Sequence, residues 1–572
     1  TIRIYLTDFI IRTFPVISNI NLDFEKNYNE IISQAIVENM REGLSNETSI
    51  WTSTYEGYTY WLLFLEQAVQ TTQRMLDSGD IKYVWEKSRF SYINTILRYD
   101  YHFDEDSSEF VFSEIDSWIK NNPINQGPNY LCSQEISIRL MNWIFAIYFY
   151  SNSENLTEDR WKRYQNLIYW QLHHIYKQIN FSSITVRNNH AISESMILSI
   201  SNLLFPFIPE SNKWSDLGIK ILEKEIDYQV YGDGSFLQFS MNYHRVLIQL
   251  FSFFISLREI RDCHVSKRIK NKAYKALNFL FQCVQDSNGL LPNYGANDGA
   301  LFFNFSDQDF RDYRPQLNTL HYILTGKNIY NDIRLIEDLQ WFGDCPVNDV
   351  FEPLKKKYGI ISFDIGGYYL IREKDTFTFL RCGNHKDRPS QADNLHLDIW
   401  IDDQNLLIDG GSFKYNTETE LKDYFIGTAS HNTVMLDNQD QMLKGPKFIW
   451  YYWTQVDSIN IVESDKEFII DAKIKAFQHL EKGIIHNRKI IKTKNTKKWL
   501  IRDKIIAKKE VNAKQIWHQS LDSKLSFSSN SYGEINNSLI SKSWYSPKYG
   551  IKLNSKLIEF KFKDKIETKI YE

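Results

Sequence analysis

The feature that most restricts what this chain can fold into is a change of period near Lys355. Up to that point apolar residues recur at three- and four-residue spacing, as around 58–69, 136–147, 191–204, 246–257 and 273–284. Such spacing lines one face of a helix. From Tyr358 onward short runs alternate apolar and polar residues, for example 359–364, 376–381, 468–474 and 484–491, with Gly, Asn, Asp and Lys between them. Alternation places successive side chains on opposite faces of a strand. The chain therefore reads as multidomain α + β, with helices over 1–355 and an antiparallel β-sandwich over 356–572. The helical segments show no strict repeat, which argues against a regular solenoid. The lysine-rich stretch 552–572 also alternates and reads as closing strands with charged, edge-protecting faces.

A chain of 572 residues is too long for one core. Its 43% hydrophobic and 24% charged residues are those of a soluble globular protein. Aromatic residues reach 15%, which suits a sugar-binding cleft and equally a large helical core. A net charge of −4 gives no overall basic footprint for nucleic acid, while a local positive cleft is compatible with it. Five cysteines (Cys132, Cys263, Cys283, Cys345, Cys382) lack CxxC spacing and form neither a disulfide framework nor a zinc knuckle. No apolar run reaches membrane-spanning length. The chain begins at Thr1, not Met, which reads as a processed or truncated start. A periplasmic or extracellular location is the expectation, and the oligomeric state is open.

The densest chemistry lies between Arg381 and Met442. Alternation in 395–401 puts Leu395, Leu397, Ile399 and Ile401 on one face and His396, Asp398 and Trp400 on the other. Asp402-Asp403 makes a turn, 405–409 runs back to Gly410-Gly411, and a third strand begins at His431-Asn432-Thr433. These short strands gather His385, His396, Asp409 and His431 into one patch. Any one of them alone is explained as a sheet polar facing water; together they indicate a site.

Three clusters stand out in the helical part. Asn189 and His190 open a helix with Glu194 one turn along, where Asn188 or Asn189 also serves as a cap. The segment 233–244 runs Asp-Gly-Ser-Phe-Leu-Gln-Phe-Ser-Met-Asn-Tyr-His and ends on Tyr243-His244; a lone tyrosine among aromatics is ordinarily core. In 136–143, Arg139, Asn142 and Trp143 can line a cleft, and Arg139 equally suits a structural salt bridge. The Gly/Asn loop 292–299 reads as a turn near the cleft.

Taken together and in this order, these motifs resemble the heparinase II/III-like polysaccharide lyases. Gln391-Ala392-Asp393, Asp409-Gly410-Gly411 and His431-Asn432-Thr433 stand where that family carries His-x-His-Ala-Asp, Asp-x-Gly and His-Asn-Thr. The family's two histidines before Ala-Asp are Pro389 and Gln391 here. The variant 388–400 resembles the branch associated with bacterial capsule and exopolysaccharide loci. The resemblance implies an N-terminal α/α toroid packed on a C-terminal β-sandwich and a lyase that cleaves a uronate-containing acidic polysaccharide by β-elimination. It implies catalytic roles for Asn189, His190 and Tyr243, with His385 standing in for the missing histidine. Arg139, Asn142, Trp143, Glu194, His244 and Arg388 would contact substrate.

For the sheet, the resemblance implies one structural divalent cation, zinc, on Asp409 and His431, and no organic cofactor. Either His396 completes that set or Asp409 and His431 only hydrogen-bond. Strand parity sets His396 against Gln391, and a bulge at Asp393-Asn394 would restore it. Two other readings stand beside the lyase: a non-catalytic binder of acidic glycan on this scaffold, and a glycoside hydrolase on the same architecture, which needs two flanking carboxylates.

Overall fold

The computed structural model describes residues 80–343, 351–387, 389–446, 448–530, 535–538 and 543–572. The helix expected around 58–69, Cys345 and Arg388 lie outside them. The other expected helices are present: 136–147 falls in Ser133–Phe149, 191–204 in Asn189–Ser199 and Ser201–Leu204, 246–257 in Met241–Ile260, and 273–284 in Lys267–Cys283. The last helix of the series ends at Gln340 and the first strand begins at Gly359, so the change of period is a change of structure. None of the described helices is long and apolar enough to cross a membrane.

Compactness divides the chain elsewhere. One unit holds residues 81–177; the other holds Asp80 and 178–572, so the helices after residue 178 belong with the sheets. Within the first unit, Ser133–Phe149 is buried on nearly all sides. Its Glu135 holds Arg89 through two bonds of 2.6 and 2.8 Å, and its Asn142 bridges Asn94 and the Arg89 carbonyl at 2.8 and 2.9 Å.

The second unit carries two antiparallel sheets. The larger runs Gly359–Phe363, Tyr368–Arg372, Thr376–Arg381, Leu397–Ile401, Gln404–Leu407, Ala513–Gln519, Lys556–Phe562, Ile535–Ser538, with Val434–Leu436 also on Ala513–Gln519. The smaller runs Ser526–Ser529, Lys565–Tyr571, Lys498–Ile506, Ile485–Thr493, Glu467–Lys475, Gln455–Glu463. Leu395, Leu397, Ile399 and Ile401 join Ile470, Ile490, Trp499 and Ile501 in the core between them, as the alternation predicts. Asp402 and Asp403 both have left-handed φ, 49° and 60°, the pair that a tight hairpin turn requires.

The strands Tyr368–Arg372, Thr376–Arg381 and Leu397–Ile401 are buried on both faces. The face away from the sandwich core is covered by helix: Phe279 packs on Phe363 and Tyr368 with centroids 4.9 Å apart, and Arg372 donates to the Gln282 carbonyl at 2.9 Å. His396 and Asp398 therefore face the helices of their own unit, not solvent.

Burial also fixes the charge of one helical histidine. His244 is fully enclosed, its Nε2 is 3.0 Å from the Ala276 carbonyl, its ring lies on Phe279 at 4.9 Å, and desolvation pushes its pKa down to about 3. The unfolded chain takes up this proton near pH 6.5 and the folded chain only near 3. Below 6.5 the unfolded state therefore binds more protons, and stability falls with pH until about 3. Urea unfolding at a series of pH values should show this decline, and His244→Asn should make it shallower.

Candidate active site

The segment 236–244 gathers the candidate catalytic side chains. Ser240 caps the helix Met241–Ile260: its Oγ accepts the Tyr243 backbone N–H at 3.1 Å and donates to the Ala296 carbonyl. The capping bond sets Tyr243 on the first turn, where its hydroxyl lies 2.7 Å from that of Tyr415. Four residues earlier in this segment, Phe239 turns through a left-handed φ of 49° and meets the His385 ring edge-on at 5.4 Å. Gln238 accepts the Asn189 backbone N–H at 3.0 Å. One short segment thus touches the asparagine, histidine and tyrosine elements.

Asn189 opens the helix Asn189–Ser199, and the expected cap is its neighbour: Asn188 Oδ1 accepts the His190 N–H at 3.0 Å. The Asn188 carbonyl accepts the Ala191 N–H at 3.1 Å. The N–H groups of 189, 190 and 191 are therefore all used within the fold. Asn189 is buried and His190 half-buried.

His385 lies between two rings, Phe239 and Trp453, the latter with centroids 6.5 Å away. Both ring nitrogens are shielded from water and neither has a partner among the described residues. Burial pushes its pKa down to about 3, with the nearby Arg381 charge adding to the effect, so the imidazole is neutral near pH 7. Its loop is pinned from both sides: Asp387 accepts the Tyr228 hydroxyl at 2.8 Å and Lys386 donates to the Tyr228 carbonyl at 3.0 Å. Arg187 stacks on the same Tyr228 ring at 3.2 Å and pairs with Glu225 at 3.3 Å. Two cations, Arg187 and Lys386, therefore flank one tyrosine next to Asn188-Asn189-His190.

Tyr415 was not singled out by the sequence. It lies in an irregular stretch 172 residues beyond Tyr243, and no local pattern marks it. Its backbone N–H donates to the Tyr549 hydroxyl at 3.2 Å, and Tyr549 donates to Asp80 at 2.7 Å. Asn416 donates to the other Asp80 oxygen at 2.8 Å.

Several expected substrate contacts are placed in the interior instead. Arg139 is fully buried, stacked 4.1 Å above Trp118 and bonded to Gln171 at 2.9 Å, with desolvation lowering its pKa to about 10. Asn142 bridges two helices, and Trp143 packs edge-on against Phe90 and Trp118 at 5.4 and 5.5 Å. Glu194 is buried and accepts the Ser182 hydroxyl at 2.8 Å. His244 is the core histidine described above. All five are enclosed by neighbouring side chains.

The sheet cluster brings together the three expected ligands. His396, Asp409 and His431 are fully buried and each offers an atom within 4.8 Å of the others, so by distance they form a group able to hold a metal. His431 Nδ1 is 2.8 Å from Asp409 Oδ2, and the carboxylate raises the His431 pKa while its own is lowered. His396 is committed differently. Its Nδ1 accepts the Asn432 backbone N–H at 3.0 Å, which places the ring proton on Nε2, facing Asp398 at 2.8 Å and Asp409 at 3.4 Å. An Nε2 carrying that proton has no lone pair for a cation. No bulge is needed to orient His396: a turn at Asn394-Leu395, with Leu395 at φ 63°, precedes the strand, so strand parity does not reach back to Gln391. Gln391 donates to the Gly411 and Phe425 carbonyls, both at 3.2 Å, and its buried Oε1 has no partner among the described residues.

The fold and the site define a class: a helical part followed by an antiparallel β-sandwich, with a capped tyrosine and an Asn-His pair on helix starts and a buried His–Asp cluster in the sheet. A family model described as "Heparinase II/III N-terminus" matches residues 24–294, and "Heparinase II/III-like, C-terminal" matches 355–571. The chain belongs to the heparinase II/III-like family. It is 23% identical over 352 residues to a heparin-sulfate lyase of Bacteroides thetaiotaomicron, covering 57% of this chain and 47% of that protein. It is 22% identical over 273 residues to one of Pedobacter heparinus, covering 45% and 37%. The chain thus spans less than half the length of these curated relatives. The crystal structure of heparinase III superposes with a TM-score of 0.62 at 15% identity, covering 88% of this chain and 76% of that one. Heparan sulfate lyase HepC from Pedobacter heparinus, in a mutant form, gives 0.57 at 16% identity, covering 86% and 77%.

The approach of 292–299 to the tyrosine segment is tight. Gly295 has φ +84°, and a Cβ there would lie 2.2 Å from the Phe239 carbonyl oxygen and 2.6 Å from the Ser240 Cα. Gly295→Ala is expected to lower the melting temperature and to reduce turnover further than a comparably destabilising core change, because the displaced atoms carry the Tyr243 cap. Melting curves and turnover of Gly295→Ala beside Leu277→Ala would check this.

Proposed function

We propose that the chain is a polysaccharide lyase that cleaves an acidic, uronate-containing glycan by β-elimination. The observation that carries the reading is the Tyr243–Tyr415 hydroxyl pair at 2.7 Å, set on the segment that also contacts Asn189 and the His385 ring. In the reaction the C5–H bond breaks, its electron pair forms the C4–C5 double bond, and the C4–O4 bond breaks with O4 taking a proton. Three functions are required: charge neutralisation at the uronate carboxylate, a base for C5–H and an acid for O4. Asn189 supplies the carboxylate donor from its side chain, since the adjoining helix N–H groups are already used. Arg187 and Lys386 give the vicinity a positive charge suited to an acidic chain. Tyr243 donates to O4, and Tyr415 hydrogen-bonds the phenolic oxygen as it gains charge. His190 is the base where C5–H and O4 lie on opposite faces of the sugar, and the tyrosine pair serves both steps where they share a face.

Hydrolysis requires two carboxylates flanking the bond. Asp233 is occupied by Ser235 at 2.6 Å and by the Gly366 N–H at 2.9 Å, and Glu194 is buried, which favours elimination. Incubation with a panel of uronate polymers, followed by ultraviolet absorbance and mass spectrometry of unsaturated products, tests the reading. Tyr243→Phe should cut turnover by about a hundredfold to ten-thousandfold at unchanged melting temperature. Tyr415→Phe should cost about ten- to a hundredfold, the worth of one hydrogen bond to a charged group. Wild-type turnover in Tyr243→Phe would remove the residue from the mechanism.

For the sheet we propose a structural divalent cation, zinc by the imidazole and carboxylate donors, held by Asp409 and His431 without His396. Such an ion supplies a fixed charge that staples the two loops together. Two donors are fewer than the four of a closed zinc site, so the ion would draw further ligands from elsewhere. Metal content of protein purified without chelator should fall in Asp409→Asn and in His431→Gln but hold in His396→Gln. Equal loss in all three would return His396 to the ligand set.

A further inference from the structure

Beside His385, on the opposite side from Phe239, the chain runs Trp450-Tyr451-Tyr452-Trp453. These residues open onto a pocket of about 510 Å³ that also takes in Gln455, Lys475 and Gln478. The two tyrosines at its centre are 48% and 56% exposed. Tyr452 holds a left-handed φ of 55°, a conformation that an aromatic residue rarely adopts. The flanking residues are fixed: Trp450 is buried, and Trp453 Nε1 donates to the Trp450 carbonyl at 2.7 Å. The fold therefore spends strain and rigid support to hold tyrosine rings outward, where burial gives nothing back.

The polar groups around these rings have a common sense. Lys475 is half-exposed, and its nearest carboxylate, Asp457, is 3.7 Å away, beyond hydrogen-bond distance. Gln478 is held in place by the Ala476 and Ile484 carbonyls, both at 2.8 Å, and by the Gly483 N–H. Tyr452 also faces His479, with centroids 6.3 Å apart. Gln478 thus serves the turn, while the aromatic faces and the loosely paired Lys475 match a sugar ring bearing a carboxylate or sulfate.

A chain of ring contacts links the pocket wall to the candidate active site. The Trp453 ring contacts His385 at 6.5 Å, His385 contacts Phe239 at 5.4 Å, and Phe239 lies four residues before Tyr243. The same loop is tied in by the Val456 N–H, which donates to Asn384 at 2.8 Å. We propose that Tyr451, Tyr452 and Lys475 form an outlying subsite that binds an acidic sugar ring of the same polysaccharide chain. The proposal rests on the lyase reading for the identity of that chain, and on the pocket itself for the binding.

The test uses sulfated uronate oligosaccharides of four and eight rings and a neutral glucan oligosaccharide of eight rings. Binding is measured by calorimetry on the full chain carrying Tyr243→Phe, so that no turnover interferes; Tyr452→Ala and Lys475→Gln are added singly. Both positions are exposed, and melting curves verify folding. The eight-ring acidic oligosaccharide should bind about three- to tenfold more weakly in each variant, while the neutral glucan is insensitive to Lys475→Gln. In the catalytically intact background the same changes should raise KM for the longer substrate and leave kcat unaltered. Unchanged affinity in both variants overturns the subsite, even where the wild-type chain makes unsaturated product. Affinity that falls in both variants supports it, even where no unsaturated product forms and the lyase reading fails. Failure of every oligosaccharide to bind also overturns it.

Discussion

The larger unit depends on one buried guanidinium. Arg381 ends the strand Thr376–Arg381 and reaches across to the loops beside it: it donates to the Gly366 and Gly367 carbonyls at 2.7 and 2.9 Å and to the Tyr294 hydroxyl at 3.1 Å, and stacks on Phe239 at 4.6 Å. It thereby joins a hairpin turn, the 292–299 loop and the tyrosine segment in one contact. Gly383 is required beside it, because a Cβ would lie 1.9 Å from the Arg381 Nη1. A desolvated charge is costly unless paired and hydrogen-bonded. Here the two carbonyls and the Tyr294 hydroxyl take up its N–H groups, and the Asp393 charge opposes that cost. Loss of this residue would leave two carbonyls and a phenol buried without their donor.

The same physics explains how much of the molecule was legible beforehand. Periodicity records burial, so the helices over 136–147, 191–204, 246–257 and 273–284, the alternating face of 395–401 and the turn at Asp402-Asp403 could be read directly. Periodicity does not record which elements pack together. Residue 355 marks the change of secondary structure, yet the compact unit extends back to 178 because Phe279 and Gln282 cover the sheet face that His396 occupies. The unusual side of that strand is chemically rich for this reason: its polar residues are paired inside the protein and do not face water.

At the site the split is similar. Asn188-Asn189-His190 and Ser240…Tyr243 are capping patterns, local enough for sequence to mark both the helix start and the side chains it presents. Tyr415 required a contact across 172 positions that no local pattern encodes. Arg139, Glu194 and His244 lie in the interior, a placement that the sequence does not mark. A polar residue in an apolar helix reads as a ligand contact or as a satisfied core group, and only three-dimensional neighbours separate the two. Gln171, Ser182 and the Ala276 carbonyl are those neighbours.

The use of every N–H at the start of Asn189–Ser199 has a consequence for recognition. A free helix start binds anions through its backbone and dipole, with little regard for the shape of the anion. Here Gln238, Asn188 Oδ1 and the Asn188 carbonyl take the first three N–H groups, so the backbone has nothing left to offer a carboxylate. In the proposed lyase, recognition would therefore fall to side chains, whose reach and direction are set by the same caps. A rigid amide discriminates by position where a bare helix start would accept any anion, and position is what an elimination requires, since the carboxylate must be held while C5–H faces the base. Arg187 and Lys386, both stacked on Tyr228, add charge nearby without occupying that position. In the proposed reaction, long-range attraction of an acidic chain and close orientation of one carboxylate would thereby fall to different residues.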